Sequence, residues 1–245
     1  MSVAVAHLKE LAARQAVKFV QSGMIVGLGS GSTALAAMRY LAERLKDGAL
    51  QNIIGIPSST GSEREARLFG IPLSTLEENP TIDLTIDGAD EVDPELKMIK
   101  GGGGALLREK IVAQASRRVI IIIDETKLSP TLGTSKPLPV EVLQFGWRTQ
   151  ANFLIGLGAQ LARRHNDDGS PYLTDQDNYI LDCDFGPIEH PALLAERLNS
   201  RAGIIEHGLF LDLATDLIVA GELGIRHLKR DEETLWEVRV DNDRN

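Results

Sequence analysis

Cysteine, histidine and positive charge are scarce in this sequence of 245 residues, and each shortage excludes something. A single cysteine, Cys183, can form neither an internal disulfide nor a multi-thiolate metal site, and it makes the cytoplasm the expected compartment. His165, His190 and His207 share no local spacing and no H-x-x-x-H pair occurs, so no zinc site is expected. Lysine and arginine total 26 against 35 acids, a net charge of −9 that repels phosphate backbones and anionic lipid. Neither nucleic acid nor a membrane surface is therefore an expected partner. Long apolar runs are missing too: the aliphatic stretch 119–123 is the longest, far short of the roughly 20 residues that span a bilayer. Lys9, Glu10, Arg14 and Lys18 break up the apolar positions near the N terminus, which suits a surface helix and leaves no secretory signal core. With 43% hydrophobic and 25% charged residues, the chain has the composition of an ordinary globular protein, one large α/β domain or one with a smaller companion.

The apolar pattern alternates between helical and strand periods. Leu8, Leu11, Ala12, Ala16, Phe19 and Val20 recur at helical spacing, and Ser22-Gly23 interrupts them before a buried strand at 24–26. A loop of small residues, 27–32, then leads into a helix at 33–45. A strand at 53–56 and a charged helix at about 62–69 repeat the unit. Strands at 82–86 and 119–123 are each followed by an acid, Asp87 and Asp124. Such alternation predicts a Rossmann-like, mostly parallel sheet flanked by helices. Residues 129–139 hold three prolines and one glycine, marking a crossing into a second, smaller α+β domain. That domain is expected to contain a strand at 138–142, a helix at 149–164, a polar turn at 165–171, a strand at 179–182 and a helix after Pro191. Strands at 204–211 and 217–220 are expected to return to the first sheet. The resulting division is 1–131 with 206–245 for the larger domain and 132–205 for the smaller, which would serve oligomerisation or act as a lid. Fraying is expected at the charged terminus, 241–245.

Three segments have residue types suited to chemistry. Gly27-Leu28-Gly29-Ser30-Gly31-Ser32-Thr33 joins a strand to a helix, where backbone N–H groups and hydroxyls suit an anion such as phosphate. The same loop also reads as a tight connection with an N-cap. No lysine follows as a P-loop requires, and the G-x-G-x-x-G spacing is absent, which disfavours ATP and NAD. Asp87-Gly88-Ala89-Asp90-Glu91 stands at the C-terminal end of a strand, where open α/β sheets bind ligands; it fits a ligand approach, an acidic turn or a Mg²⁺ site. Lys100-Gly101-Gly102-Gly103-Gly104 precedes a helix at 105–115 with Glu109 about one turn in. Four glycines suit a flexible linker, but inside a compact αβ unit they also bring N–H groups close to a ligand. Glu109 taken alone is an acid favourable to the helix dipole. Ser58 and Ser59 read as turn residues or minor substrate contacts, and Cys183 as packing.

Together, Gly29-Ser30-Gly31-Ser32-Thr33-Ala34, Asp87 to Glu91, Lys100 through Lys110, Asp124-Glu125-Thr126-Lys127 and Leu138-Pro139-Val140-Glu141-Val142 are more specific than any one alone. In these landmarks, from near the N terminus to about Gly224, the sequence resembles the ribose-5-phosphate isomerases of the A type. The resemblance implies an aldose-ketose isomerase of the non-oxidative pentose phosphate pathway. It would interconvert D-ribose 5-phosphate and D-ribulose 5-phosphate through an enediolate, without metal or organic cofactor, as a homodimer or homotetramer. Carried over by motif position, Glu109 would be the proton acceptor, with Asp87 and Lys100 also catalytic. Ser30, Gly31, Ser32, Thr33, Asp87, Gly88, Ala89, Asp90, Lys100, Gly101, Gly102, Gly103 and Lys127 would bind the sugar phosphate. The family varies just after its first three loop glycines, so Gly104 and Leu107 are expected to be neutral. Two rivals share the general fold. A sugar-phosphate sensor of a bacterial regulator would need a DNA-binding module, for which the chain has neither the basic segment nor the length. A coenzyme A transferase would use its glutamate as nucleophile and form a covalent thioester.

Overall fold

The computed structural model describes residues 3–222, 224–230 and 235–240. In chain order the elements are α1 (Val3–Val17), β1 (Ile25–Leu28), α2 (Gly31–Lys46), β2 (Ile54–Pro57), α3 (Thr60–Leu68), β3 (Leu84–Asp87), β4 (Glu91–Val92), β5 (Met98–Ile99), α4 (Leu106–Gln114), β6 (Val119–Asp124) and β7 (Leu138–Val142). They continue with α5 (Trp147–Gly156), β8 (Gln160–Arg163), β9 (Tyr179–Asp184), α6 (Pro191–Asn199), β10 (Ile204–His207), β11 (Leu209–Phe210), β12 (Asp216–Gly221), β13 (Gly224–Arg230) and β14 (Leu235–Val240). The chain divides into two compact units, one of residues 1–88, 108–127 and 212–245, the other of 89–107 and 128–211.

The first unit is built on a seven-stranded sheet in the order β14-β13-β12-β6-β3-β1-β2. β2, β1, β3, β6 and β12 are parallel, and β13 and β14 close the edge antiparallel. Strands in the middle of such a sheet are covered on both faces, which is why β6 reads as an unbroken aliphatic run, buried throughout. On one face Val26, Leu84, Ile86, Ile120, Ile122 and Ile218 pack with Ala12 and Ala16 of α1 and Ala37, Met38 and Leu41 of α2. On the other, Ile56 and Ile82 pack with Val112 of α4. α4 runs antiparallel to β3: Ser116, just beyond its end, bonds Thr85 (2.6 Å), and Ile82 N donates to the Ala115 carbonyl (2.9 Å). The N-terminal turn of α4 therefore lies at the C-terminal end of β3.

The second unit carries a four-stranded antiparallel sheet, β10-β7-β9-β8, and a small three-stranded one, β11-β5-β4. Leu138, Val140, Val142, Leu181 and Cys183 make its core with Leu154 of α5 and Ala195 and Leu198 of α6. The mostly parallel, helix-flanked sheet with a smaller α+β unit is the architecture expected from the alternation of periods.

Three expectations need correction. Residues 149–164 are not one helix: α5 ends at Gly156, Gly158 takes a positive φ of 101°, and β8 follows with alternating exposure against β9. Residues 204–211 do not return to the first sheet, because β10 pairs with β7 and β11 with β5; only β12 joins β6. Residues 89–107 belong with the second unit rather than the first. They are fastened there by the β4-β5-β11 pairing and by Glu91, fully buried, which accepts from the N–H groups of Gly133 (3.0 Å), Thr134 (3.2 Å) and Ser135 (3.1 Å). The fraying expected at 241–245 concerns residues outside those described.

Candidate active site

In the first unit the loop after β1 lies directly on the end of β3. A Cβ at Gly29 would overlap the side chain and Cα of Asp87, so only glycine permits this approach. The buried Asp87 carboxylate is held on Oδ1 by two backbone donors, Ser30 N–H (3.1 Å) and Gly88 N–H (2.7 Å). Thr33 lies beside Gly88. The Ser30 hydroxyl donates to Ser59 Oγ (2.8 Å) and lies 3.0 Å from Ser58 Oγ. Ser59 in turn caps α3 reciprocally with Ser62. The hydroxyls are thus a connected cluster, and Ser58 and Ser59 belong to it. Gly31, Ser32 and Thr33 form the first turn of α2, which contains no acid and whose N-cap Ser30 makes no side-chain capping bond. That turn offers N–H groups and a positive dipole end to an anion.

Lys9 of α1 reaches the same turn, donating to Ser32 Oγ (2.9 Å). No sequence signal marks it, since a lysine on an amphipathic helix looks like any solvated face. Glu109 lies in the first turn of α4 and is only 6% exposed. It falls one turn before Val112, which faces Gly27 of β1. Asp87 and Glu109 therefore sit at the same end of the sheet. Lys127 closes the 3₁₀ turn after β6, also at the C-terminal end of a parallel strand, and is half-buried.

In the second unit, Asp90 Oδ2 accepts from Gly102 N–H (2.7 Å), tying Ala89-Asp90 to the glycine loop. Lys100 is buried, its N–H donates to the Gly208 carbonyl (2.9 Å), and its ammonium sits 5.5 Å from the centre of the Phe210 ring. Gly101 to Gly104 form a tight turn in which Gly104 N–H donates to the Gly101 carbonyl (2.9 Å). Gly101 and Gly104 have positive φ values of 100° and 82°, and a Cβ at Gly104 would overlap the Tyr172 ring. Gly104 is therefore not the neutral position expected from the sequence.

A cavity of about 540 Å³ on the first unit, lined by Ile56, Arg67, Leu73, Arg108 and Ile111 among others, includes neither Asp87 nor Glu109, and none of the loop residues 29–33, Lys9 and Lys127. Among the described residues, no group of three or more His, Cys, Asp or Glu side chains is arranged to hold a metal ion. Burial, with Asp182 nearby, pushes the Cys183 thiol up to about 12, which leaves it inert as a nucleophile at neutral pH.

The model of the family described as ribose 5-phosphate isomerase A (phosphoriboisomerase A) matches residues 54–224. The ribose-5-phosphate isomerase A of Chloroflexus aurantiacus is 58% identical over 220 residues, spanning 90% of this chain and 92% of that protein. Among solved structures, a D-ribose-5-phosphate isomerase in complex with phospho-erythronic acid is similar with a TM-score of 0.91 and 37% identity, over 94% of this chain and 100% of its own. The ribose 5-phosphate isomerase from Plasmodium falciparum is similar with a TM-score of 0.90 and 38% identity, over 92% and 99%.

Proposed function

This chain belongs to the ribose 5-phosphate isomerase A family, and we infer from that premise how its residues interconvert D-ribose 5-phosphate and D-ribulose 5-phosphate. The reaction moves a hydrogen from C2 to C1 of the open-chain sugar while O1 gains a proton and O2 loses one. Glu109 is the base. Its carboxylate takes the C2 proton, an enediolate forms with negative charge on oxygen, and the resulting acid returns a proton to C1. The observation that carries this assignment is the burial of Glu109 at the sheet end that also holds Asp87. Asp87, fixed by two N–H groups, is oriented to assist ring opening or proton exchange between O1 and O2. Lys100 and those N–H groups of the glycine loop that Asp90 does not engage stabilise the enediolate oxygen.

The phosphate belongs to the first turn of α2, Ser30 to Thr33, with Lys9 and Lys127 as cations. Asp90, with Gly88 and Ala89 beside it, holds sugar hydroxyls. No step in this route calls for a metal or organic cofactor. The relative solved with phospho-erythronic acid holds a sugar-acid phosphate, a molecule of the same chemical class as the substrate. A cytoplasmic location fits a phosphorylated metabolite. A homodimer or homotetramer, assembled through the second unit, fits the exposed apolar side chains of Leu143, Phe145, Ile155 and Leu193.

Glu109→Gln tests the base, because it keeps size and much of the hydrogen bonding but removes proton acceptance. The kcat in a coupled ribose 5-phosphate assay is expected to fall by about 10² to 10⁴-fold, with substrate binding nearly retained. Solvent exchange at C2 should be lost in parallel. Exchange at the wild-type rate would transfer the role of base to Asp87.

A further inference from the structure

The glycine loop of the second unit is gripped from behind. Arg164 directly follows β8, and its backbone is locked on both sides: its N–H donates to the Ile180 carbonyl (2.9 Å) and its carbonyl accepts from Tyr172 N–H (3.0 Å). Its guanidinium forks onto Asp182 of β9, through Nε to Oδ2 (2.9 Å) and through Nη2 to Oδ1. The remaining terminal nitrogen, Nη1, donates to two successive loop carbonyls, Gly101 (3.0 Å) and Gly102 (3.1 Å). Tyr172, whose ring centre lies 5.7 Å from the same guanidinium, donates its hydroxyl to the next carbonyl, Gly103 (3.2 Å). Burial raises the Tyr172 phenol above its ordinary range, although Arg164 opposes the shift, so the hydroxyl stays a donor at any working pH.

Three consecutive carbonyls are thus turned toward side chains of one unit. In a trans peptide the following N–H points the opposite way. Of the two N–H groups opposed to the Arg164-bound carbonyls, that of Gly102 is taken by Asp90 (2.7 Å). That of Gly103 belongs to an exposed residue around whose Cβ position nothing lies within 4 Å. A cation on the carbonyl side also polarises these peptide groups and strengthens them as donors. A glycine run without such bracing would have to be ordered during the reaction itself.

Building on the isomerase reading above, we propose that Arg164, clamped by Asp182, and Tyr172 are positioning residues that preset the glycine loop so that Gly103 N–H donates to the enediolate oxygen. The sugar itself touches neither side chain. Their influence is exerted through the loop, and it is greatest where negative charge develops on oxygen.

The test uses the full-length chain. Its turnover of ribose 5-phosphate is measured first, and absence of turnover would remove the family reaction on which this proposal builds, whatever the variants do. Tyr172→Phe removes one hydroxyl and leaves the ring in place, so folding is preserved. It is expected to lower kcat about 3- to 10-fold, with KM within about 2-fold and an unchanged melting temperature. Arg164→Gln and Asp182→Asn are expected to lower kcat about 10- to 100-fold, and the double variant should be no worse than Arg164→Gln alone, because the pair acts as one clamp. C2-hydrogen exchange should slow in step. Wild-type kcat in Tyr172→Phe would overturn the proposal. So would a rise in KM alone, which marks ground-state binding, or losses in the Arg164 and Asp182 variants that multiply independently.

Discussion

Gly29 shows how one missing side chain fixes the geometry of a buried carboxylate, that of Asp87. Its Cα lies so close to Asp87 that a methyl group would meet both the carboxylate and the backbone of β3. The neighbour in the way is partly main chain, so it cannot rotate aside. Gly29→Ala is expected to destabilise the chain by about 1–3 kcal/mol, the usual range for overpacking a filled site. Activity should fall further than stability, because the displaced loop takes with it the Ser30 N–H that holds Asp87 Oδ1. Urea denaturation and the coupled assay, run on the same preparation, check both halves. Wild-type values in each would mean that the loop does not rest on Asp87. Glu91 is a contrasting case. It stands in the same acidic motif, yet its carboxylate is spent on the N–H groups of Gly133, Thr134 and Ser135, and its work is to fasten the segment after Asp90 rather than to meet a sugar.

Among the elements, β6, β12 and β13 are tied together by a single buried acid. Asp216, the first residue of β12, accepts from Arg118 Nε (2.8 Å) and Nη2 (2.7 Å), from the Thr215 hydroxyl (2.7 Å), and lies 2.7 Å from His227 Nε2 of β13. Burial alone would raise its carboxyl; the bonds from Arg118, His227 and Thr215 outweigh that and hold it well below the usual carboxylate range. A depressed native value means that the unfolded chain binds the extra proton first. The stabilisation is therefore complete above the ordinary value of 3.8 and is lost as pH falls from there through the native value. Asp216→Asn is expected to lose about 1.5–3 kcal/mol at pH 6. The gap in melting temperature between wild type and variant should narrow below pH 3.8, and a gap that stayed constant down to pH 2.5 would contradict this account.

The elements differ in how legible they are in the sequence. The strands of the parallel sheet announce themselves because burial on both faces demands unbroken aliphatic runs, as at 119–123. The loops after β1 and β3 are legible because tight turns and close approaches restrict them to Gly, Ser and Asp. The two-residue strands β4 and β5 carry no period at all. The end of α5 is hidden because Leu157 and Leu161 continue a helical spacing past the break at Gly158. Lys9, Arg164 and Tyr172 stay invisible for another reason. They reach their partners 23, 62 to 63 and 69 residues away, and no local pattern records a contact at that separation.

For the molecule as a whole, the order in which the chain supplies its strands matters. The second unit is not complete until Leu211, and the seven-stranded sheet waits longer, because β12, the neighbour of β6 on one side, begins only at Asp216. A growing chain emerging from the ribosome therefore displays β6 with one flank open while some ninety residues are still being made, at a rate of about 5–20 residues per second. That flank runs from Ile120 to Asp124, four isoleucines before a single charge and free of proline and glycine, and thus a template for self-association. A chain truncated after Leu211 is expected to collect in the insoluble fraction on expression. One truncated after Arg230 should stay in the supernatant, because its new edge, β13, carries Arg226, Lys229 and Arg230. Equal solubility of the two would show that β6 is shielded by other means. The late arrival of β12 makes synthesis itself the hazardous interval of this protein's life, a period of seconds in which a chaperone has more to protect than in the finished enzyme.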